Sequence, residues 1–277
     1  MMMTVHEKTI LSGDKLKLYV KHWSPVQTRA VICMIHGFGE HINRYNHVAS
    51  FFVGNDYAIV GMDNRGHGKS EGKRGHAPNY DAYIDDIQLL MNDIKTQYPN
   101  KPIFLWGHSM GGNLILNYML RRKPAIVATV VTGAWIRLAF EPKPMLLKLG
   151  RMMRSVLPTF SQSAGLDTNH LSTDKAVVRA YNADSLVHGK ITAAAGMGLN
   201  EAAAWLNTYQ GEVPVPTLIM HGEKDRVISP DAAREFSERV KGDITFKLWH
   251  GLYHEIHQEK IKDEVLNYAL GWMNKIL

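Results

Sequence analysis

The feature that most constrains this chain is a series of short, nearly uninterrupted apolar runs set between longer amphipathic segments. Residues 30–36, 57–63, 102–107 and 126–133 are each only a few residues long, and each ends at a glycine or a polar residue. Runs this short and this apolar read as strands buried on both faces. Between them, residues 80–98 place Tyr83, Ile84, Ile87, Leu90, Met91 and Ile94 at helical spacing, and residues 113–122 form a second helix closed by Lys123-Pro124. The pattern returns late in the chain, with strands at 215–221 and 244–249 and helices at 231–240 and 260–276. Such alternation predicts an α/β fold, a mostly parallel sheet flanked by helices. Two strand-like runs around Ser12-Gly13-Asp14 predict an antiparallel hairpin at one edge. The stretch 135–212 breaks the alternation: it is helical in character, rich in Leu, Met and Ala, and contains Pro142, Pro144 and Pro158. It is expected to be a helical cap over the C-terminal edge of the sheet, inserted between residues 1–134 and 213–277 of the core.

A chain of 277 residues suits one large domain with such an insertion. The single cysteine, Cys33, excludes a disulfide framework and a zinc-finger cluster, and its apolar run makes it a small buried hydrophobe. The N-terminus lacks the apolar core of a secretory signal, and the longest nearly apolar run, 125–136, falls short of the ~18 residues of a spanning helix. A cytoplasmic, soluble protein is the expectation. The net charge of +6 comes from basic residues scattered among acids, so a solvated surface is expected and no nucleic-acid partner.

Gly107-His108-Ser109-Met110-Gly111 matches G-x-S-x-G, with a strand before it and a helix after it. A sharp strand-to-helix turn holds such a serine strained and exposed at the sheet edge, and the flanking glycines let backbones approach. This unit resembles the nucleophile turn of α/β-hydrolases, and the resemblance implies Ser109 as nucleophile. A serine hydroxyl needs a base, and in that fold the acid and then the base follow the serine along the chain. Among 14 histidines, His250, His254 and His257 lie after the last strand. His250 abuts the strand and His257 is expected to open the last helix, which leaves His254 in the loop as the base. Glu223 and Asp225 both follow the preceding strand. Asp225, nearer the loop tip, is the expected orienting carboxylate, which fixes the imidazole tautomer. His254-Glu255-Ile256-His257 is not the zinc motif H-E-x-x-H, because its histidines are three apart. No metal or cofactor is expected.

His36-Gly37-Phe38-Gly39-Glu40-His41 follows the first parallel strand. In α/β-hydrolases an N–H from this loop joins the N–H after the nucleophile in an oxyanion hole, which nominates Phe38 and Met110. Together with Arg44-Tyr45, Asp63-Asn64-Arg65-Gly66-His67-Gly68-Lys69-Ser70, Gly107 to Gly112, His221-Gly222-Glu223-Lys224-Asp225 and Tyr253-His254-Glu255, this segment resembles the monoacylglycerol lipase family across residues 36–255. The resemblance implies hydrolysis of monoacylglycerols to fatty acid and glycerol through an acyl-enzyme. It also suggests that the segment from Asp63 braces the oxyanion turn. A lysophospholipase or short-chain carboxylesterase is the alternative on the same fold, and an inactive ligand-binding relative is a further one. An aspartate-nucleophile dehalogenase or epoxide hydrolase is disfavoured by Ser109.

Residues 144–157 carry Met145, Leu146, Leu147, Leu149, Met152, Met153, Val156 and Leu157, with Lys148, Arg151 and Arg154 recurring every third position. A helix of this pattern either lies in a membrane interface or packs its apolar face on the core; the two are not exclusive. A lipid ester substrate and peripheral membrane contact through the cap are expected; no protein partner is implied.

Overall fold

The computed structural model describes residues 3–141 and 144–277, so Pro142, used above to mark the break in alternation, lies outside the described residues. In chain order the elements are β1 (Thr4–Leu11), β2 (Lys17–Ser24), β3 (Ala30–Ile35), α1 (Asn46–Val53), β4 (Tyr57–Met62), α2 (Tyr80–Gln97), β5 (Ile103–His108), α3 (Met110–Arg122) and β6 (Ala128–Thr132). There follow α4 (Pro144–Val156), β7 (Ser161–Ser163), α5 (Lys175–Ala183), β8 (Lys190–Thr192), α6 (Ala193–Thr208), β9 (Thr217–Gly222), α7 (Pro230–Arg239), β10 (Ile244–Trp249) and α8 (Lys262–Asn274).

Eight strands form one sheet in the order β1-β2-β4-β3-β5-β6-β9-β10. The pairs from β4 across to β10 are parallel, and β1–β2 and β2–β4 are antiparallel. The expected mostly parallel sheet and its antiparallel edge are both present. Successive strand residues feed opposite cores, as a period of two requires. Val31, Cys33 and Ile35 join Leu105 and the helices α2, α3 and α7 through Ile87, Leu114 and Phe236. Ile32, Met34, Phe104 and Trp106 face α1 and α8 through Phe52 and Leu266. Each fully buried side chain of this kind contributes about 1.5–3 kcal/mol. Cys33 is one of them, and burial pushes its thiol far up from the ordinary range.

Three local differences from the sequence reading have physical causes. α1 spans only 8 residues, too few turns to display a period, and was not expected. α3 begins at Met110 rather than 113, because the glycines after Ser109 are helical here. The insertion holds a small antiparallel sheet, β7 with β8, as well as helices. Helix starts follow ordinary capping: Asn79 accepts from Ala82 N before α2, and Ser229 from Ala232 N before Pro230 of α7. Among the described residues, no helix is long and apolar enough to cross a membrane.

β3 has β4 on one side and β5 on the other, so the chain leaves these central strands in opposite directions. Ligands of open α/β sheets bind at the carboxyl ends of the strands where the winding reverses. The loops after β3 and β5 meet at that point.

Candidate active site

Ser109 occupies the single residue between β5 and α3, with φ 54° and ψ −116°. Left-handed φ is costly for a side chain, and the surroundings hold it. Ser109 N donates to Thr132 O at 3.0 Å, and Ser109 O accepts from Trp135 N at 3.0 Å. The crossing requires glycine: a Cβ on Gly107 would lie 2.4 Å from Gly111 O, and one on Gly111 would lie 2.1 Å from Ile35 O. Glycine at both positions lets β5, α3 and the end of β3 touch through backbone alone.

The loop after β3 lies against this turn. A Cβ on Gly37 would stand 3.3 Å from Ser109 Cβ. Among the described hydrogen bonds, neither Phe38 N–H nor Met110 N–H has an acceptor. The loop is held by Glu40, buried, whose Oε1 accepts from Gly37 N and from the Tyr45 hydroxyl, each at 2.7 Å. Arg44 donates to the other Glu40 oxygen and, with both Nη atoms at 2.7 Å, to Glu255. The segment after β4 braces the loop from below. Asp63 accepts from Ile42 N at 2.7 Å and Lys69 N at 2.8 Å; Asn64 N donates to His36 Nε2 at 2.8 Å; Arg65 reaches Asp86 at 2.6 Å.

His254 Nδ1 lies 2.6 Å from Asp225 Oδ2. Asp225 Oδ1 accepts from Val227 N at 2.8 Å and Ile228 N at 3.0 Å. Burial alone would raise the Asp225 carboxyl; the facing His254 charge and the donors from His221 and His254 outweigh it and hold the carboxyl far below its ordinary value. Burial alone would likewise lower His254, and the Asp225 charge overcomes it, so the imidazole is raised. Other buried histidines around the site go the other way. His36 falls to about 3, and His67, His108 and His257 fall well below the ordinary imidazole value, all through burial first. The described residues form no hydrogen bond between Ser109 Oγ and His254. The His108 ring, next to Ser109, stands 4.7 Å from that of His254, and such catalytic contacts commonly tighten only with substrate.

Among the described residues, none of the other candidates hydrogen-bonds Asp225 or His254. Glu223 accepts from Gly251 N at 2.9 Å and pairs with His250, whose side chain is 82% exposed. His257 does not open the last helix. It lies in a 3-10 turn, Ile256–Gln258, fully buried and stacked on Tyr45 at 4.9 Å. One ligand atom each from Glu40, His108 and Glu255 falls within 4.8 Å of the others, but the Arg44 guanidinium already neutralises both carboxylates. The glutamate–arginine network went unread in sequence beyond its family likeness, because Arg44 and Glu255 are 211 positions apart.

In the insertion, α4 exposes Met145, Leu149, Met152 and Val156, spaced four, three and four apart along one face. Its other side meets α6, where a Cβ on Gly150 would stand 3.0 Å from Met197 Sδ. Arg154 is paired with Glu201 at 2.7 Å, so it departs from the free basic row that its sequence spacing suggested.

The chain matches the family model Hydrolase_4, described as "Serine aminopeptidase, S33", over residues 26–261. It is 35% identical to an abhydrolase domain-containing protein of Dictyostelium discoideum over 99% of this chain, which spans only 29% of that longer protein. It is 32% identical to a monoacylglycerol lipase of Mycolicibacterium smegmatis, over 91% of this chain and 90% of that one. Its fold superposes on the crystal structure of a monoacylglycerol lipase from Paleococcus ferrophilus with a TM-score of 0.87 and 26% identity, covering 94% of this chain and 99% of that one.

Proposed function

From the premise that the chain belongs to the Hydrolase_4 family, we propose that it is a carboxylic-ester hydrolase that cleaves monoacylglycerols to fatty acid and glycerol. The observation that carries the chemistry is the strained serine at the strand-to-helix turn, together with a buried imidazole, His254, that the Asp225 carboxylate makes more basic. The end-to-end likeness to monoacylglycerol lipases supports the substrate class.

Ser109 Oγ attacks the acyl carbonyl carbon while His254 Nε2 takes its proton. The carbonyl oxygen gains the charge and receives hydrogen bonds from Phe38 N–H and Met110 N–H, which await an acceptor. Asp225 keeps His254 in the tautomer that presents Nε2 and stabilises the imidazolium. Collapse breaks the ester bond, and His254 returns the proton to the departing glycerol oxygen. A water, deprotonated by His254, then attacks the acyl-serine, and fatty acid leaves as Ser109 recovers its proton. Every step uses side chains and backbone of this chain.

Residues 135–212 act in this reading as a cap. A cavity of about 380 Å³ runs between residues 135–141 and α6, walled in part by Trp135, Ile136, Leu138 and Ala203. Arg137, Glu141, Asn200 and Asn207 line it too, and none of Ser109, Phe38, Met110, Asp225 or His254 does, so it lies apart from the reacting groups. The outward apolar row of α4, flanked by Lys148 and Arg151, suits contact with an anionic lipid surface from which substrate is drawn.

The test is a panel of monoacylglycerols, lysophospholipids and p-nitrophenyl esters assayed with the wild-type protein. The expected result is fastest turnover on a monoacylglycerol. Faster turnover of lysophospholipids, or of short esters alone, would replace the substrate assignment and leave the hydrolase chemistry standing.

A further inference from the structure

His221 lies near the end of β9, opposite Leu248 of β10, and is fully buried. Its Nε2 is 2.9 Å from Asp225 Oδ2 and 3.3 Å from Ile228 O. Both partners are acceptors, so Nε2 carries a proton and donates. Oδ2 is the oxygen that also accepts from His254. With Val227 N and Ile228 N on Oδ1, Asp225 accepts four hydrogen bonds, two on each oxygen.

We infer that His221 is a positioning residue for the reaction: its Nε2–H pins the second oxygen of Asp225 toward His254 and tempers the charge that His254 meets there. The inference rests on the roles proposed above for Asp225 and His254. Two backbone N–H groups locate Oδ1, but the carboxylate can still tilt about that oxygen until a donor fixes Oδ2. His254 sits in the loop after β10, whereas His221 is set in the sheet. The second effect is electrostatic. A carboxylate with more donors stabilises a neighbouring imidazolium less, so the base gives up its proton at lower pH than a barer ion pair would allow.

Other charged or titratable groups also face His254. His108 approaches from β5 with ring centroids 4.7 Å apart, and Glu255 adjoins it in sequence. Glu40 acts from the loop after β3, Arg44 stands between the two glutamates, and His257 acts from the 3-10 turn. All of these remain when His221 alone is changed, so a shift in the pH profile reports on His221.

The experiment compares H221L, which removes the donor at similar bulk, with H221Q, whose amide nitrogen reaches about as far as Nε2. The asparagine variant D225N serves as reference. Rates on a soluble p-nitrophenyl ester are followed across pH, with melting temperature measured for each protein. H221L is expected to lose about tenfold or more in kcat, by analogy with hydrogen-bond partners that orient metal-binding side chains, with KM nearly constant. Its acid limb in kcat/KM should move up by roughly half a pH unit. H221Q should restore the limb and most of the rate. If H221L fails to fold, H221N, too short to reach Oδ2, takes its place in the same comparison. An unmoved acid limb, or identical behaviour of the donor-bearing and donor-free variants, overturns the inference when D225N is nearly dead. Near-normal activity in D225N would instead bring down the roles of Asp225 and His254, and the inference with them.

Discussion

At neutral pH a serine hydroxyl keeps its proton, so the reactivity assigned to Ser109 depends on the residues around it. S109A should lower turnover to near background with the melting temperature little changed, a residue of rate surviving through the oxyanion donors. D225N should cost about 10⁴-fold in kcat, by analogy with serine proteases, whereas Glu223→Gln should cost far less, because the Glu223 carboxylate hydrogen-bonds His250 and Gly251 rather than His254. The base works unprotonated. Since Asp225 raises His254 despite its burial, kcat/KM should climb with pH through a value above the ordinary imidazole pKa of about 6.5. A profile flat down to pH 5 would contradict this. The kinds of residue, and their order along the chain, were legible in sequence because each follows a strand. The partners were not. That His221 and His254 share one oxygen of Asp225 follows from how β9 and the last loop pack, and no spacing in the sequence displays it.

Elements, rather than single side chains, aim Ser109, the proposed nucleophile. β5 enters the turn, α3 leaves it, and the end of β3 presses on both where Gly107 and Gly111 leave room. Gly111→Ala should therefore force backbones apart, with a loss of roughly 1–3 kcal/mol and slower labelling of the serine by a fluorophosphonate. Gly13→Ala, in the edge hairpin where a Cβ meets nothing within 4 Å, should leave the melting temperature almost unchanged. Thermal melts of the two variants check the contrast. On α4, Lys148→Glu with Arg151→Glu should weaken binding to anionic vesicles and slow hydrolysis of vesicle-embedded substrate, each charge counting for about 1 kcal/mol. A soluble ester should be cleaved as before. Arg154 is left out because its change would break the pair with Glu201. Long elements were readable from their period. α1 and the β7–β8 pair were not, since 8 and 3 residues show no period to read.

For the whole molecule, the governing fact is that β3 and β5 stand side by side while their connections run opposite ways. This arrangement brings the loop of Phe38 to Ser109, and the loops after β9 and β10 carry Asp225 and His254 to each other. The alternation of apolar runs with amphipathic segments predicted such a sheet, because parallel strands buried on both faces leave that pattern. The strand order was not in the pattern; it arises from which faces pack against which helices. The segment after β6 lies outside that logic: its helical character and the apolar face of α4 were legible, while whether that face packs on the core or points outward was left open by the sequence. The central claim, that Ser109 takes up the acyl group of a monoacylglycerol, is tested most directly by mass spectrometry of the protein quenched in acid during turnover. The account predicts an acyl group on the peptide containing Ser109, absent in S109A and lost again as water completes the cycle. Continued turnover with the acyl group on another residue, or undiminished hydrolysis by S109A, would contradict it.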